Sequence, residues 1–436
     1  MPALRYTLLP TLRDARSGNQ IAGFYKCFME QHNLFRDKEV NEKREAWLVA
    51  PIEELRGVEE LKGYGGLAVK QAQRAARMES VNWQIVDDLR EDGMYLLLPD
   101  LQQLRELARV LRLRTRGEIA RGEFPAAVET IQAHLALART LNEHPTLIGS
   151  LVGIAIAASA LTSVEEFIAA PGAPNLFWAL ADLPAPLFDL RKAAQGERVF
   201  FTRELETLVD RVNPMTEVQI GKAVMKVTEF VDAATLQTAL APAKGKVDPP
   251  APQPVRKTVS TYLGERAADP KLVAEARARL MPRPPTRDER VEAFPPMQVI
   301  LLDEVNKFEA SRDDVLKWLT IPHWQIPAGA EKQTTPGAFA PLGPSVLKVS
   351  IAKARIEQQI GMLRVVEAVR AHAAANGGRL PGSFDEVRLP LAVDPFSGKA
   401  FGYQLADGMA SVRGTPPADR KDDATLNRVY EMTLRK

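Results

Sequence analysis

Four arginines at helical spacing are the residues of this sequence best suited to hold a charged ligand. They are Arg105, Arg109, Arg112 and Arg116. Intervals of four, three and four place them on one face of a helix, beside its apolar stripe. Guanidinium groups pair bidentately with carboxylates and phosphates. We therefore name them as a candidate site for an acidic peptide, although the charge pattern favours a solvated face neutralised by nearby acids.

A second candidate site is the pair His323–Trp324 in the segment IPHWQIP at 321–327. The flanking prolines predict a loop, where an exposed indole can stack on a sugar ring. The alternative is a buried side chain, which is commoner for tryptophan. Trp83 and Trp178 lie among apolar residues at helical spacing and are predicted to belong to the core.

Residues for metal or cofactor chemistry are sparse in this sequence. Its five histidines include no pair at the i,i+4 zinc spacing, and one cysteine, Cys27, excludes both a thiolate cluster and an internal disulfide. We find no Walker A motif, dinucleotide fingerprint or G-x-S-x-G turn. We expect no metal and no cofactor, and the sequence identifies no catalytic residue.

Two acidic pairs, Asp303–Glu304 and Asp313–Asp314, lie in a segment with helical periodicity. Adjacent acids on an amphipathic helix favour a solvated face over acid–base catalysis. An enzyme therefore stays an alternative, because folding can gather carboxylates that are distant in sequence.

The segment Asp-Pro-Phe-Ser-Gly at 394–398 has the composition of a turn. Its proline presets φ, Asp394 can accept backbone N–H groups, and Gly398 can take a positive φ. Phe396 and Phe401 are expected to anchor the turn to the preceding helix. A calcium site that joins Asp394 to the acids of the loop ADRKDDAT is the less favoured alternative.

The elements that must position these residues are mainly helices. Leu101, Leu104, Ala108 and Leu111 form one apolar stripe, and a second follows over 125–141 after Gly122. So short a connection predicts a helical hairpin. The apolar run 147–161 is ~5 residues short of a membrane span. We read it as a buried helix and expect no transmembrane span.

The C-terminal part has a different pattern. A long helix is predicted to end at Asn376-Gly377-Gly378, and FGYQL, MASVR and RVYEMTLRK then alternate as strands around the Asp407-Gly408 turn. The predicted fold is mainly α. It comprises a helical-hairpin array over 1–240, a proline-broken linker region over 241–344 with a helical segment at 298–320, and an α+β module over 345–436 with a three-stranded antiparallel meander.

Two resemblances accompany these patterns. NGGRLPGSFDEV followed by DPFSGKAFGYQ resembles the globular part of the major pseudopilins of type II secretion, which implies a similar shape for the C-terminal module. LRTRGEIARGEFPAAVETIQAHLALARTL resembles a tetratricopeptide-type hairpin. With GNQIAGFYKCF and PGAPNLFWALADLP, it is similar to uncharacterised bacterial proteins that are mostly exported. This likeness implies a periplasmic or exported protein whose signal is absent from this chain. The N-terminus lacks a signal-peptide pattern, so a cytoplasmic location is the alternative.

The expected function is that of a non-catalytic scaffold or protein-binding component of the bacterial cell envelope. A hydrolase or carbohydrate-acting envelope enzyme is the alternative. The formal net charge of +2 gives no general attraction to nucleic acid, so a protein or acidic peptide is the expected partner. The sequence leaves the partner's identity and the oligomeric state open.

Overall fold

The chain folds as helices around two large apolar cores, as seen in a computed structural model. The structure describes residues 5–29, 31–200, 202–239, 258–281, 289–327, 330, 337–339, 346–417 and 427–433. It is mostly helical, with 66% helix, and it contains a small three-stranded antiparallel sheet. The predicted mainly α class and the predicted sheet are both confirmed at this level.

The N-terminal helices are short, and two strands join them. The helices are α1 (Gln20–Tyr25), α2 (His32–Arg36), α3 (Lys38–Val49), α4 (Gly66–Ala75) and α5 (Val86–Asp92). The strands β1 (Arg16–Asn19) and β2 (Met78–Ser80) pair in parallel. The sequence does not predict this pair, because strands of three or four residues are too short to show an alternating pattern.

Helices α6 (Pro99–Ala120) and α7 (Phe124–Thr140) form the predicted helical hairpin. Each begins with a proline in its first turn, where the missing N–H costs nothing. Gly122 lies in the three-residue connection and adopts a φ of +74°, which glycine tolerates without strain. The two apolar stripes are buried against each other and their neighbours, so this part of the prediction is confirmed.

Helix α8 (Leu147–Ala169) contains 23 residues and extends well beyond the predicted run 147–161. It is long and apolar enough to cross a membrane, so the prediction that this segment is too short for a span is wrong. However, 67% of its apolar window is buried inside the protein. Helices α6, α7 and α17 (Val346–Ala375) all pack against it. These contacts support the reading of α8 as a core helix, for which membrane lipid is not needed.

The region predicted as a linker over 241–344 is largely helical where it is described. The helices from α9 onward are α9 (Phe177–Ala181), α10 (Arg191–Phe200), α11 (Thr202–Leu208), α12 (Glu217–Ala239), α13 (Val259–Ala268), α14 (Pro270–Leu280), α15 (Glu289–Glu292) and α16 (Pro296–Leu316). Side chains of α11 to α16 build a second apolar core that includes Phe294, Val299 and Phe339. The described prolines of this region stand at helix starts and between helices, where they are compatible with a packed core. The proline-rich stretch at 241–257 lies outside the described residues.

Helix α17 is buried on two sides. One side, with Val349, Ile356 and Leu363, completes the first core beside α8, whereas Met362 and Val365 face the C-terminal sheet. That sheet has the order β3 (Gly402–Ala406), β4 (Met409–Arg413), β5 (Val429–Met432), and all its pairs are antiparallel. The turn Asp407-Gly408 has φ values of +49° and +76°, as expected for a tight hairpin.

Each of the two cores combines distant parts of the chain, and the domain boundaries at 240 and 345 stay a prediction. Helices α11 and α12 contribute to the second core, whereas α17 contributes to the first. Glu165 on α8 accepts hydrogen bonds from Gln359 on α17 and from Arg428 beside β5, both at 2.7 Å. The C-terminal module is therefore joined to the helical part through buried apolar contacts and this polar cluster.

Candidate binding cleft

The four arginines proposed from the sequence do not form one open binding surface. Arg116 is only 4% exposed, and its Nε donates to both carboxylate oxygens of Glu166, at 2.9 and 3.2 Å. The same guanidinium also donates to the backbone carbonyls of Trp47 and Ala50. Its hydrogen-bonding capacity is used inside the protein, where it connects α6 to α8 and to the end of α3. Arg116 is therefore held in place as a structural residue, neutralised by an acid of a neighbouring helix.

The remaining three arginines differ from one another. Arg109 is half exposed and pairs with Glu45 at 2.5 Å, as expected for a neutralised surface. Arg105 is exposed. Arg112 is half-buried beside Glu166, whose pKa is raised by burial and lowered in part by the charges of Arg116 and Arg112. The spacing placed all four on one helix, but the neighbouring helices cover part of that face.

The acidic pair Asp303–Glu304 is buried, so its predicted solvated position is wrong. Asp303 receives two hydrogen bonds of 2.8 Å from Arg279 and pairs with Lys307 at 2.6 Å. Glu304 accepts the backbone N–H of Ala338 at 2.8 Å. Since both carboxylates have positive or N–H partners, they hold the second core together. Within the described ranges, no three His, Cys, Asp or Glu side chains come together as metal ligands.

The second predicted site, His323–Trp324, lies at a cleft with a volume of about 460 Å³. Its floor is one face of α17. One wall is the segment 180–186, which begins in α9, the opposite wall is 392–395, and residues 320–324 lie at one end. This volume is within the range of roughly 300–1,000 Å³ that is usual for ligand sites. We call this feature the α17 cleft.

The floor of the α17 cleft is a stripe of residues at helical spacing. It consists of Ser350, Lys353, Ala354, Glu357, Ile360, Gly361 and Arg364. Intervals of three and four keep these side chains on one face of the helix over four turns. The stripe lies between the two apolar sides of α17. Its charged members, Lys353, Glu357 and Arg364, are half-buried, whereas its other members are buried.

Trp324 stands at the mouth of the cleft and is 50% exposed. It lies in a short 3-10 helix, His323–Gln325, rather than in the predicted loop. A Cβ atom on Gly398 would lie 3.0 to 3.3 Å from the indole ring, so the ring is packed directly on this glycine. His323 is oriented by two contacts. Its Nδ1 lies 3.0 Å from the hydroxyl of Ser350, and its ring is edge-on to Phe396 at 5.0 Å.

The Asp394–Gly398 turn supplies the residues on which Trp324 and His323 pack. Asp394 is fully buried and accepts the backbone N–H groups of Phe396 at 2.9 Å and Thr415 at 2.5 Å. Gln358 on α17 also donates to both of its oxygens at 3.2 Å. Phe396 packs on α17 as predicted. The protein itself supplies these donors to the carboxylate, which agrees with an architectural role. The loop acids proposed as calcium partners lie outside the described residues.

Three charged side chains line the cleft, and burial acts on each of them. Burial raises the pKa of Glu357, which accepts the backbone N–H of Leu187 at 2.7 Å. Burial lowers the pKa of Lys353, and the charge of Glu357 opposes that shift. Burial also lowers the pKa of Arg364, and no acid among the described residues opposes that shift. The cleft is thus an apolar groove with two cations and one carboxylate.

Sequence reasoning missed Lys353, Glu357 and Arg364 because the floor reads as part of an ordinary amphipathic helix. The available signal was a third face. Besides its two apolar sides, α17 carries these three charged residues on a third face, between the two apolar ones. Trp178 was also misassigned, because it is 44% exposed rather than buried in the core, whereas Trp83 is buried as predicted.

We compared the chain with models of known protein families, with curated proteins and with solved structures. No family model, no curated protein and no solved structure matched it.

Proposed function

We propose that this protein is a non-catalytic protein-binding component and that a segment of its partner enters the α17 cleft. The observation that carries this proposal is the cleft itself, an apolar groove with the half-exposed Trp324 at its mouth. Tryptophan is among the residues that contribute most to binding energy at protein interfaces. Val393, on the opposite wall, is also exposed and extends the apolar surface.

The proposed setting is the bacterial cell envelope, with a periplasmic or exported location. This part of the proposal rests on the two resemblances described above. The hairpin of α6 and α7 is compatible with a tetratricopeptide-like scaffold, and the helix α17 with its sheet is compatible with a pseudopilin-like module. Helical-repeat arrays present extended surfaces to other proteins, which is consistent with a binding role.

A carbohydrate-acting enzyme is the competing proposal, because an indole at the mouth of a cleft can stack on a sugar ring. Glycoside hydrolysis generally needs two carboxylates on either side of the scissile bond. Glu357 is the one carboxylate among the described lining residues, and it already accepts a backbone N–H group. The arrangement therefore favours binding over hydrolysis.

A photo-reactive amino acid at Val393, which is 61% exposed on the cleft wall, tests the proposal. In native extracts, we expect cross-links to a small set of proteins. A cleft-filling substitution on the opposite wall, Ala181→Trp, should abolish them. The same probe at Leu12, an exposed residue far along the chain, is the matched control and should give no shared product. Products that persist in Ala181→Trp would refute binding in the cleft, and hydrolysis of envelope glycans would favour the enzyme.

A further inference from the structure

Arg364 is a cation in the α17 cleft without a described counter-charge. Its guanidinium carbon lies 5.8 Å from the centre of the Phe177 ring, and its Nε is enclosed without a hydrogen-bond acceptor among the described residues. Arg370, six residues further along α17, differs because it pairs with Glu367 at 2.6 Å. The two arginines share a helix, but only Arg370 is neutralised within the described part of the protein.

A partly buried cation without an anion is electrostatically unfavourable, because burial removes part of its hydration. The ring of Phe177 compensates only in part, since a cation–π contact is weaker than a charge-assisted hydrogen bond. A carboxylate that entered the cleft would provide acceptors for the guanidinium in a geometry that arginine favours. The charge at this end of the cleft is therefore complementary to an acidic group.

The other charged side chains of the cleft lie too far along α17 to neutralise Arg364. Lys353 is eleven residues from Arg364 on the same helix, which corresponds to about 16 Å. Glu357 is one turn from Lys353, so these two charges act mainly on each other. From Ser350 to Arg364 the floor spans about 21 Å, the length of roughly six residues of extended chain.

We infer that the α17 cleft recognises an extended segment with one acidic side chain at Arg364 and apolar side chains toward Trp324. This inference rests on the proposed function and adds to it the chemistry of the partner segment. The carboxylate binds the guanidinium, the walls at 180–186 and 392–395 enclose the apolar side chains, and the indole covers the far end. The partner is an acidic-apolar peptide within a larger protein.

The test uses the full chain, immobilised, and a library of random hexapeptides that are acetylated at one end and amidated at the other. Side chains are then the only charges of the peptides. We expect enrichment of Asp or Glu at one position with apolar neighbours. Arg364→Gln should lower the affinity of the best acidic peptide about tenfold and remove the acid preference. Arg355→Gln removes the same charge from an exposed position of α17 and should leave both unchanged.

Hexapeptides retained without an acid preference would overturn the inference and leave the proposed function in place. An acid preference that survives Arg364→Gln would overturn it as well. Salt provides a measurement on the unaltered protein in case the variant does not fold, because acidic peptides should dissociate more readily at high salt than neutral ones. Equal salt dependence would contradict the role of Arg364. Failure of the proposed function is read separately, from the cross-links at Val393.

Discussion

Replacing His134 by leucine should make the protein less sensitive to acid. His134 lies in α7 with its side chain fully buried, and neither ring nitrogen has a hydrogen-bond partner among the described residues. Burial lowers the pKa of His134 to about 3, and the charge of Arg112 adds to this shift. The folded protein therefore holds a neutral imidazole under conditions in which a free histidine is protonated.

The magnitude follows from the difference between the two states. Histidine in an unfolded chain has a pKa of about 6.5. As the pH falls below that value, the unfolded chain binds a proton that the folded protein does not, so the free energy of unfolding decreases. The loss in free energy of unfolding begins as the pH falls through about 6.5 and continues toward pH 3, where the folded protein also binds the proton. Between pH 7 and pH 5 the titration of this one histidine lowers the free energy of unfolding by about 2 kcal/mol.

Urea unfolding of the natural protein and of His134→Leu, at pH 7 and at pH 5, measures this quantity. The difference in free energy of unfolding should shift by about 2 kcal/mol in favour of the variant at pH 5. Buried carboxylates with raised pKa values, such as Glu367, titrate in both proteins and cancel in the difference.

Leu135→Ala is the matched control. It creates a cavity beside His134 without changing a titratable group, so its destabilisation should be the same at both pH values. If the natural protein and His134→Leu lose stability in parallel between pH 7 and pH 5, the assignment of a neutral buried imidazole is refuted.

Three further predictions test the fold around the candidate sites. A Cβ on Gly196 would lie 1.5 Å from the carbonyl oxygen of Pro145, so Gly196→Ala should cost several kcal/mol or prevent folding. Gly221→Ala, with open space in α12, should be neutral or slightly stabilising in the same thermal melt. Asp394→Asn should lower the free energy of unfolding by about 2 kcal/mol, and calcium should leave the melting temperature of either protein unchanged. Burial raises the pKa of Cys27 to about 12, so iodoacetamide should label it in the urea-unfolded chain and hardly at all in the native protein.

The elements that the sequence predicts well are those whose determinants are local. The stripe of Leu101 and Leu104, the glycine at 122 and the Asp407-Gly408 turn each act within a few residues. Spacing and turn chemistry therefore identified the α6–α7 hairpin and the meander directly. The same reasoning anchored Phe396 correctly on α17. The helical segment predicted at 298–320 corresponds to α16, but α13 and α14 were not predicted. Prolines at helix starts and prolines in linkers look alike before the partners of each helix are known.

The candidate sites depended on contacts between distant segments. Arg116 belongs to a regular surface pattern in sequence, and only the position of Glu166, fifty residues later, turns it into a buried structural residue. The α17 cleft brings together 180–186, 320–324 and 392–395, which no spacing rule connects. Trp324 was identified because prolines signal exposure locally. Arg364 was not, since the absence of a counter-charge among the described residues becomes visible only in the packed structure.

The position of α17 has a consequence for how the protein is made. Synthesis proceeds from the N-terminus at about 5–20 residues per second. From the end of α8 at Ala169 to the end of α17 at Ala375 the ribosome must add 206 residues, which takes about 10–40 s. During that interval the apolar side of α8 that α17 later covers has no native cover. Nascent chains of this protein are therefore expected to be substrates for chaperones, and a product truncated before α17 should aggregate.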